Sequence, residues 1–341
     1  MVKNYSTSAL FLLVLTALFL GSCGTDDPGD NGITDIEEGV LVLNEGGFQK
    51  GNSSLAFIAT DSGNVRTKLY ESANNKALGD VGQSFTFHND KLYVVLNNSK
   101  QIKVLGEDLI EQNVIEGFTS PRFFLPVNNN RAYVSDLFAN AVTVVDLNTN
   151  MISGSIAIKG MTEKMAINGN DVYITNNSSN YVYVVDIQSD AVTDSIDVGG
   201  KNDEIYNYNS NIVVIRNADT DNNIKPAFVT INPNTKEVSN TVEFNASATV
   251  WDAKSTLYEN NIYFVHEGAV MKYDGTFVNL VFSITGAALP YNIFLYNEKV
   301  YIGDAKDFSS TGAVLEYDMN GNLLNTFSTG IIPSSMMWAD F

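Results

Sequence analysis

The sequence predicts an all-β chain folded as a seven-bladed β-propeller of four-stranded antiparallel blades. Three observations predict it. The chain of 341 residues repeats itself in steps of about forty. Within each step lie four short strand-like runs separated by turns rich in Asn, Asp and Gly. Finally, the two ends hold complementary fractions of one further repeat. A period of roughly 40–45 residues built from four strands is the pattern of a propeller blade.

Taken in order, the chain starts with Lys3, an apolar run from Ala9 to Leu20, and then Gly21-Ser22-Cys23. A short basic region, a short apolar region and small residues make residues 1–22 a secretory signal peptide. The run is short of the about 20 apolar residues a membrane span needs. Residues 23–39 are rich in Gly and acids and read as a flexible acidic tether, because they have too few apolar groups to build a core. Residues 40–341 form the propeller. The segment 40–77 offers three strand-like runs, Val40–Leu43, Ser54–Ile58 and Val65–Tyr70. Full repeats follow at 78–117, 118–160, 161–200, 201–245, 246–286 and 287–330. Residues 331–341, IIPSSMMWADF, match only the first strand of a repeat, as LPYNIFLYNEK shows. Joined to 40–77 they complete the seventh blade, so the C-terminal strand closes the ring and removes the open sheet edges. Turns carry residues suited to tight backbone, such as Asn128-Asn129-Asn130 and Gly169-Asn170. No segment carries a helical period, and the Tyr and Phe residues inside strands are expected to pack between blades.

The balance of 20 basic against 39 acidic residues gives a net charge of −19. Such a surface repels nucleic acid and anionic lipid headgroups, so neither is expected as a partner. The single cysteine, Cys23, excludes disulfides and cysteine metal sites within the chain.

Particular residues carry resemblances to known families. Leu20-Gly21-Ser22-Cys23 resembles a bacterial lipobox, which implies lipidation at Cys23 and an anchored rather than spanning protein. Asp26-Asp27 after it resembles the surface-export signal of Bacteroidetes lipoproteins, which implies the outer membrane and exposure at the cell surface. VYITNNSSNYVYVVDIQSDAVTDSIDVG resembles the YVTN-type repeat of surface-layer and periplasmic seven-bladed propellers. LGDVGQSFTFHNDKLYVVLNNSKQIKVL and LVLNEGGFQKGNSSLAF are similar to a Bacteroidetes family of surface lipoprotein propellers, one branch of which captures cobalamin on a TonB-dependent transporter.

In a propeller the loops joining strands two and three share a face with the loops joining one blade to the next. The second strands deliver Asn44, Glu45, Asn98, Asp136, Asn177, Arg216, His266 and Asp304 to that face. The blade-to-blade loops add Arg122, Trp251 and Tyr291, together with Gln83, Lys164, Glu204 and Trp338. Amides, carboxylates and a few aromatics make a cup for a large polar ligand, in which Asn both donates and accepts. A corrinoid edged with amides fits that description. Asn and Asp at strand ends also cap backbone groups with no ligand present.

Catalytic and metal signals are sparse. His88 lies in a turn on the opposite face, and His266 stands beside Glu267. No nucleophile elbow, P-loop, zinc spacing or haem motif occurs. Asp219, Asp221 and Asn223 place oxygens at alternate positions, as calcium loops do, but lack the Gly and distal Glu of an EF-hand. The expected function is therefore non-catalytic: a lipid-anchored receptor without a cofactor. It captures a small-molecule nutrient, a corrinoid in the first instance, for a TonB-dependent outer-membrane transporter. Some seven-bladed propellers with related repeats hydrolyse lactones, which gives an alternative using His266, Glu267 or Arg122. An adhesive, protein-binding propeller is the third reading.

Overall fold

A computed structural model describes residues 38–245 and 254–339. The signal peptide, most of the acidic tether, Cys23 and Trp251 lie outside the described residues. The described chain forms seven antiparallel sheets of four strands.

Blade 1 contains β1 (Gly39–Asn44), β2 (Ser54–Ala59) and β3 (Val65–Arg66), followed by the short helix α1 (Leu69–Asn74). Blade 2 is β4 (Gly82–His88), β5 (Lys91–Leu96), β6 (Gln101–Leu105) and β7 (Glu111–Glu116). Blade 3 is β8 (Pro121–Asn128), β9 (Arg131–Asp136), β10 (Ala141–Asp146) and β11 (Met151–Ala157). Blade 4 is β12 (Thr162–Asn168), β13 (Asp171–Asn176), β14 (Tyr181–Asp186) and β15 (Ala191–Asp197). Blade 5 is β16 (Asn202–Tyr208), β17 (Asn211–Arg216), β18 (Ala227–Asn232) and β19 (Glu237–Glu243). Blade 6 is β20 (Ser255–Tyr258), β21 (Asn261–His266), β22 (Ala269–Tyr273) and β23 (Val278–Ser283). Blade 7 is β24 (Pro290–Tyr296), β25 (Lys299–Asp304), β26 (Ala313–Asp318) and β27 (Leu323–Ser328). The last strand, β28 (Pro333–Ala339), leaves blade 7 and pairs with β1, giving the order β28-β1-β2-β3. Its register runs from Gly39 opposite Ala339 to Asn44 opposite Pro333.

The first strand of each blade is the innermost. β28 touches β4, β4 touches β8, β8 touches β12 and β12 touches β16; β20 touches β24, which returns to β28. The ring is thus closed, as the complementary chain ends predict. Every blade is buried on both faces, and the strand period of two decides which neighbour each side chain meets. In β5, Leu92, Val94 and Leu96 pack against blade 1, while Tyr93 and Val95 pack against blade 3. The described residues hold seven such cores, one for each blade interface. Tyr93, Tyr133, Tyr173, Tyr263 and Tyr301 occupy the same position of the second strands of blades 2, 3, 4, 6 and 7, all buried in these interfaces.

One expectation fails. The strand-like run Val65–Tyr70 is a strand only over Val65–Arg66, and its end belongs to α1. Six residues are too few to display a 3.6-residue period, so the sequence pattern could not announce the helix. Lys68 and Asn75 flank it in left-handed conformation, and its buried residues Leu69 and Tyr70 join the core between blades 1 and 2. The Tyr70 hydroxyl donates to Glu111 at 2.5 Å, which ties the helix to β7.

Candidate binding face

Most of the predicted amide and carboxylate ring serves the fold. Asn44, Asp136, Asn176 and Asp304 occupy equivalent strand ends, opposite the first residue of the inner strand or the residue in its place. All four are buried. Asp136 accepts the backbone N–H groups of Thr119, Ser120, Phe138 and Ala139 at 2.7–3.0 Å. Asp304 accepts those of Ala288, Leu289 and Lys306 at 2.7–3.1 Å. Asn44 accepts Gly330 N–H at 2.9 Å and donates to the Ser54 carbonyl. Each of these side chains satisfies the incoming blade-to-blade loop, an outgoing loop, or both, since unpaired backbone groups there would be costly. Asn98 donates to Asp80 at 2.7 Å, and the Asn177 Oδ1 atom is buried without a partner.

A different set surrounds the axis. On six of the seven inner strands the register slips just after the first residue, so an extra residue is inserted against the second strand. The slip falls at Gln83, at Arg122-Phe123, at Glu163-Lys164, at Asp203, at Tyr291 and at Ser334. A β-bulge re-aims the side chain it carries, and here polar groups recur at the same height around the ring. They bridge neighbouring blades. Arg122 donates through Nε to Glu163 at 2.8 Å and through Nη1 to Gln83, linking blades 2, 3 and 4. Lys164 pairs with Glu204 at 2.7 Å, and Glu204 also accepts Ser255 and Tyr206, at 2.5 and 3.0 Å. Burial, followed by the Glu204 charge, pushes the Tyr206 hydroxyl well above its ordinary pKa, so it remains a neutral donor. Tyr291 donates to Glu45 at 2.8 Å, and Lys254 Nζ lies 5.6 Å from its ring centre.

On the same face as this ring, the loops between second and third strands present Phe48, Phe138 and Phe308, which are 65%, 59% and 49% exposed. Phe308 meets the Tyr291 ring edge-on at 5.8 Å. Sequence reading missed these three aromatics, as well as Glu163 and Asp203. The signal available was each aromatic inside an otherwise polar or small-residue loop, as in Gly47-Phe48-Gln49 and Asp307-Phe308-Ser309.

Arg216 and His266 do not join the axial ring. They share the strand-end position but turn outward, together, between blades 5 and 6. Arg216 donates to the Lys225 carbonyl and to Glu243 of the outermost strand, both at 3.0 Å. His266 Nε2 lies 2.8 Å from the Asn245 carbonyl, which can only accept, so this nitrogen carries the proton. Trp338 stacks on Tyr296 at 3.8 Å, inside the closing joint. Asp219 accepts the backbone and side chain of Asn222, and its own backbone pairs with Ile224. Its carboxylate therefore braces the blade 5 turn, and among the described residues no group of three or more His, Cys, Asp or Glu converges. No described helix is long and apolar enough to cross a membrane.

Comparison with solved structures finds the same fold in distant proteins. A candidate 6-phosphogluconolactonase of Bacteroides fragilis aligns at TM-score 0.68 and 13% identity, covering 92% of this chain and 100% of its own. A functionally unknown protein of Desulfotomaculum acetoxidans aligns at 0.68 and 12%, covering 89% and 99%. Hydrazine synthase of Kuenenia stuttgartiensis aligns at 0.62 and 14%, covering 74% and 88%. At these identities the likeness is one of fold. No curated protein matches the sequence. Residues 38–306 match the family described as domain of unknown function DUF5074, and the chain belongs to that family.

Proposed function

We propose, with membership of that family as the premise, that this propeller binds a small molecule over its axis and acts as a receptor rather than an enzyme. The single observation that carries the reading is the bulged polar ring on the face where the loops expose Phe48, Phe138 and Phe308. Exposed rings give a ligand an apolar seat, and the polar groups of the ring fix its edge. The lipobox at Cys23 and the acidic tether support a site held outside the cell on a lipid anchor, delivering a nutrient to an outer-membrane transporter. A corrinoid remains the first ligand to test, because it combines a broad apolar face with a polar periphery. The support now comes from the aromatic crown more than from the Asn residues, which the fold employs.

Ring residues are poor test positions, since removing Arg122 would strand the nearly buried carboxylate of Glu163 and weaken the fold itself. The exposed aromatics avoid that confusion. Protein lacking residues 1–23, titrated calorimetrically with cyanocobalamin, should bind saturably. The Phe48→Ala/Phe308→Ala variant should bind about 10-fold or more weakly, at roughly 1–3 kcal/mol per stacked ring. Absence of heat together with an unchanged melting temperature would reject the corrinoid. Equal affinity of variant and parent would move the site off this face. Lactone hydrolysis has only the fold likeness behind it.

A further inference from the structure

Between the outer parts of blades 5 and 6 a groove of about 660 Å³ opens to solvent. That volume lies within the range of small-molecule sites. Its apolar walls are Val242, Phe244, Met271, Phe277, Val278 and Leu280, with His266 and Asn245 at one end, and Glu243 and Glu267 also line it. The groove continues the core between these two blades, which is rich in aromatic residues: Phe228 stacks on Tyr273 at 4.1 Å, and Phe244 meets Phe264 at 5.3 Å. At its outer rim Phe277 and Leu280 are 64% and 61% exposed, large apolar groups left in water.

A second, independent observation lies behind the polar end. Phe244 and His266 line both the groove and an adjoining void of about 10 Å³, which Asn217 also lines. Asn217 is 5% exposed, and neither its Oδ1 nor its Nδ2 atom has a partner. Buried amides are nearly always paired, and an unpaired one is costly. Blades 5 and 6 are also where Arg216 and His266 replace the Asn or Asp that caps the loops in blades 1, 3, 4 and 7. Blade 2, with Leu96 at that position, lacks the cap too, so its loss accompanies the groove without being confined to it.

We propose that this groove is a second binding site, separate from the axial face. Its ligand is a flat, mainly apolar, uncharged small molecule with a hydrogen-bonding group at one end. The apolar body lies on Phe244, Met271, Phe277 and Leu280, and the polar end is directed to the His266 and Asn217 side. The apolar walls favour a neutral body, and Glu243 and Glu267 on the lining, together with the net charge of −19, disfavour an anion. Asn217 can both donate and accept, so the polar group can be of either kind.

N-phenyl-1-naphthylamine, a neutral biaryl with one N–H donor, is a suitable fluorescent probe. Titration into the protein lacking residues 1–23 should give saturable one-to-one enhancement and slow amide exchange within Val278–Ser283. Phe277→Ser/Leu280→Ser changes two exposed side chains, so the variant should fold normally and bind about tenfold or more weakly. Asn217→Leu should also weaken binding, whereas unchanged affinity would assign Asn217 to a buried water and overturn the polar end of the site. Absence of saturable enhancement in the parent, or equal enhancement in the double variant, would overturn the proposal. Phe48→Ala/Phe308→Ala should bind this compound as the parent does, which separates the groove from the axial site.

Discussion

At the scale of single residues, the same side-chain chemistry serves two ends, and only partners tell them apart. Asp136 and Glu163 are both buried carboxylates, yet one accepts four backbone N–H groups and the other accepts Arg122 across a blade interface. Asp136→Ala would leave those N–H groups without an acceptor and should cost about 3–5 kcal/mol. Urea denaturation would measure it, and a midpoint within experimental error of the parent would refute the capping role. Glu111 illustrates how partners outweigh burial. Burial raises its carboxyl, but hydrogen bonds from Lys76, Tyr70 and Lys103 bring it down to about 2 from an ordinary 4.5. A depressed carboxyl stabilises the fold above its unfolded pKa and loses that contribution as pH falls. Glu111→Gln should therefore be less stable than the parent at pH 7, with the gap narrowing from about pH 4.5 down toward 2. Paired denaturation curves at several pH values test it, and a gap independent of pH would refute it. Strand-end Asn and Asp were legible in the sequence as a set. Their employment was not, because hydrogen-bond partners such as Gly330 for Asn44 lie far along the chain.

At the scale of strands and loops, the sequence displayed what has a period and hid what breaks one. Near-continuous apolar runs such as KLYVVL and DVYIT follow from burial on both faces, and they gave the blades directly. Each inner-strand bulge inserts one residue and has no composition of its own, so the polar ring surfaces only when Gln83, Arg122, Glu163, Asp203 and Tyr291 are aligned by pairing. Helix α1 escaped for the related reason that one and a half turns carry too little pattern. Close approach of strands is equally invisible in composition. A Cβ on Gly303 of β25 would lie 2.4 Å from the Pro333 carbonyl oxygen at the start of β28. Gly303→Ala should accordingly push blade 7 off the closing strand and cost about 1–3 kcal/mol. Thermal unfolding would show it as a lowered midpoint, and an unchanged one would mean that the joint has slack.

At the scale of the whole molecule, β28 decides whether seven sheets form one cooperative body. An open array of repeats needs polar caps at its ends, whereas a closed ring has no ends to cap. Here one strand supplies the closure. β28 pairs with β1 over its length, buries Met336 in the core between blades 7 and 1, and donates from Ser334 to the Gly82 carbonyl of blade 2. Removing residues 331–341 would uncover the edge of β1 and open the cores on both sides of blade 1. The truncated chain should lose its single cooperative urea transition and self-associate through the bared strand, as size-exclusion chromatography would report. Adding residues 331–341 back as a separate peptide should restore both properties, since the peptide carries the whole of β28 together with Ile331 and Ile332, whose carbonyls accept from Gly46 and Glu45. A truncated chain that stayed monomeric with the parent's midpoint would show that blades 2 to 7 are self-sufficient. Blade 1 would then be an appendage, and the bulged ring around the axis would not depend on closure. If instead the cut unfolds the molecule, the axial face and the groove between blades 5 and 6 both rest on the same strand. Weakened closure should then reduce cyanocobalamin and N-phenyl-1-naphthylamine binding together, although the two ligands occupy separate places.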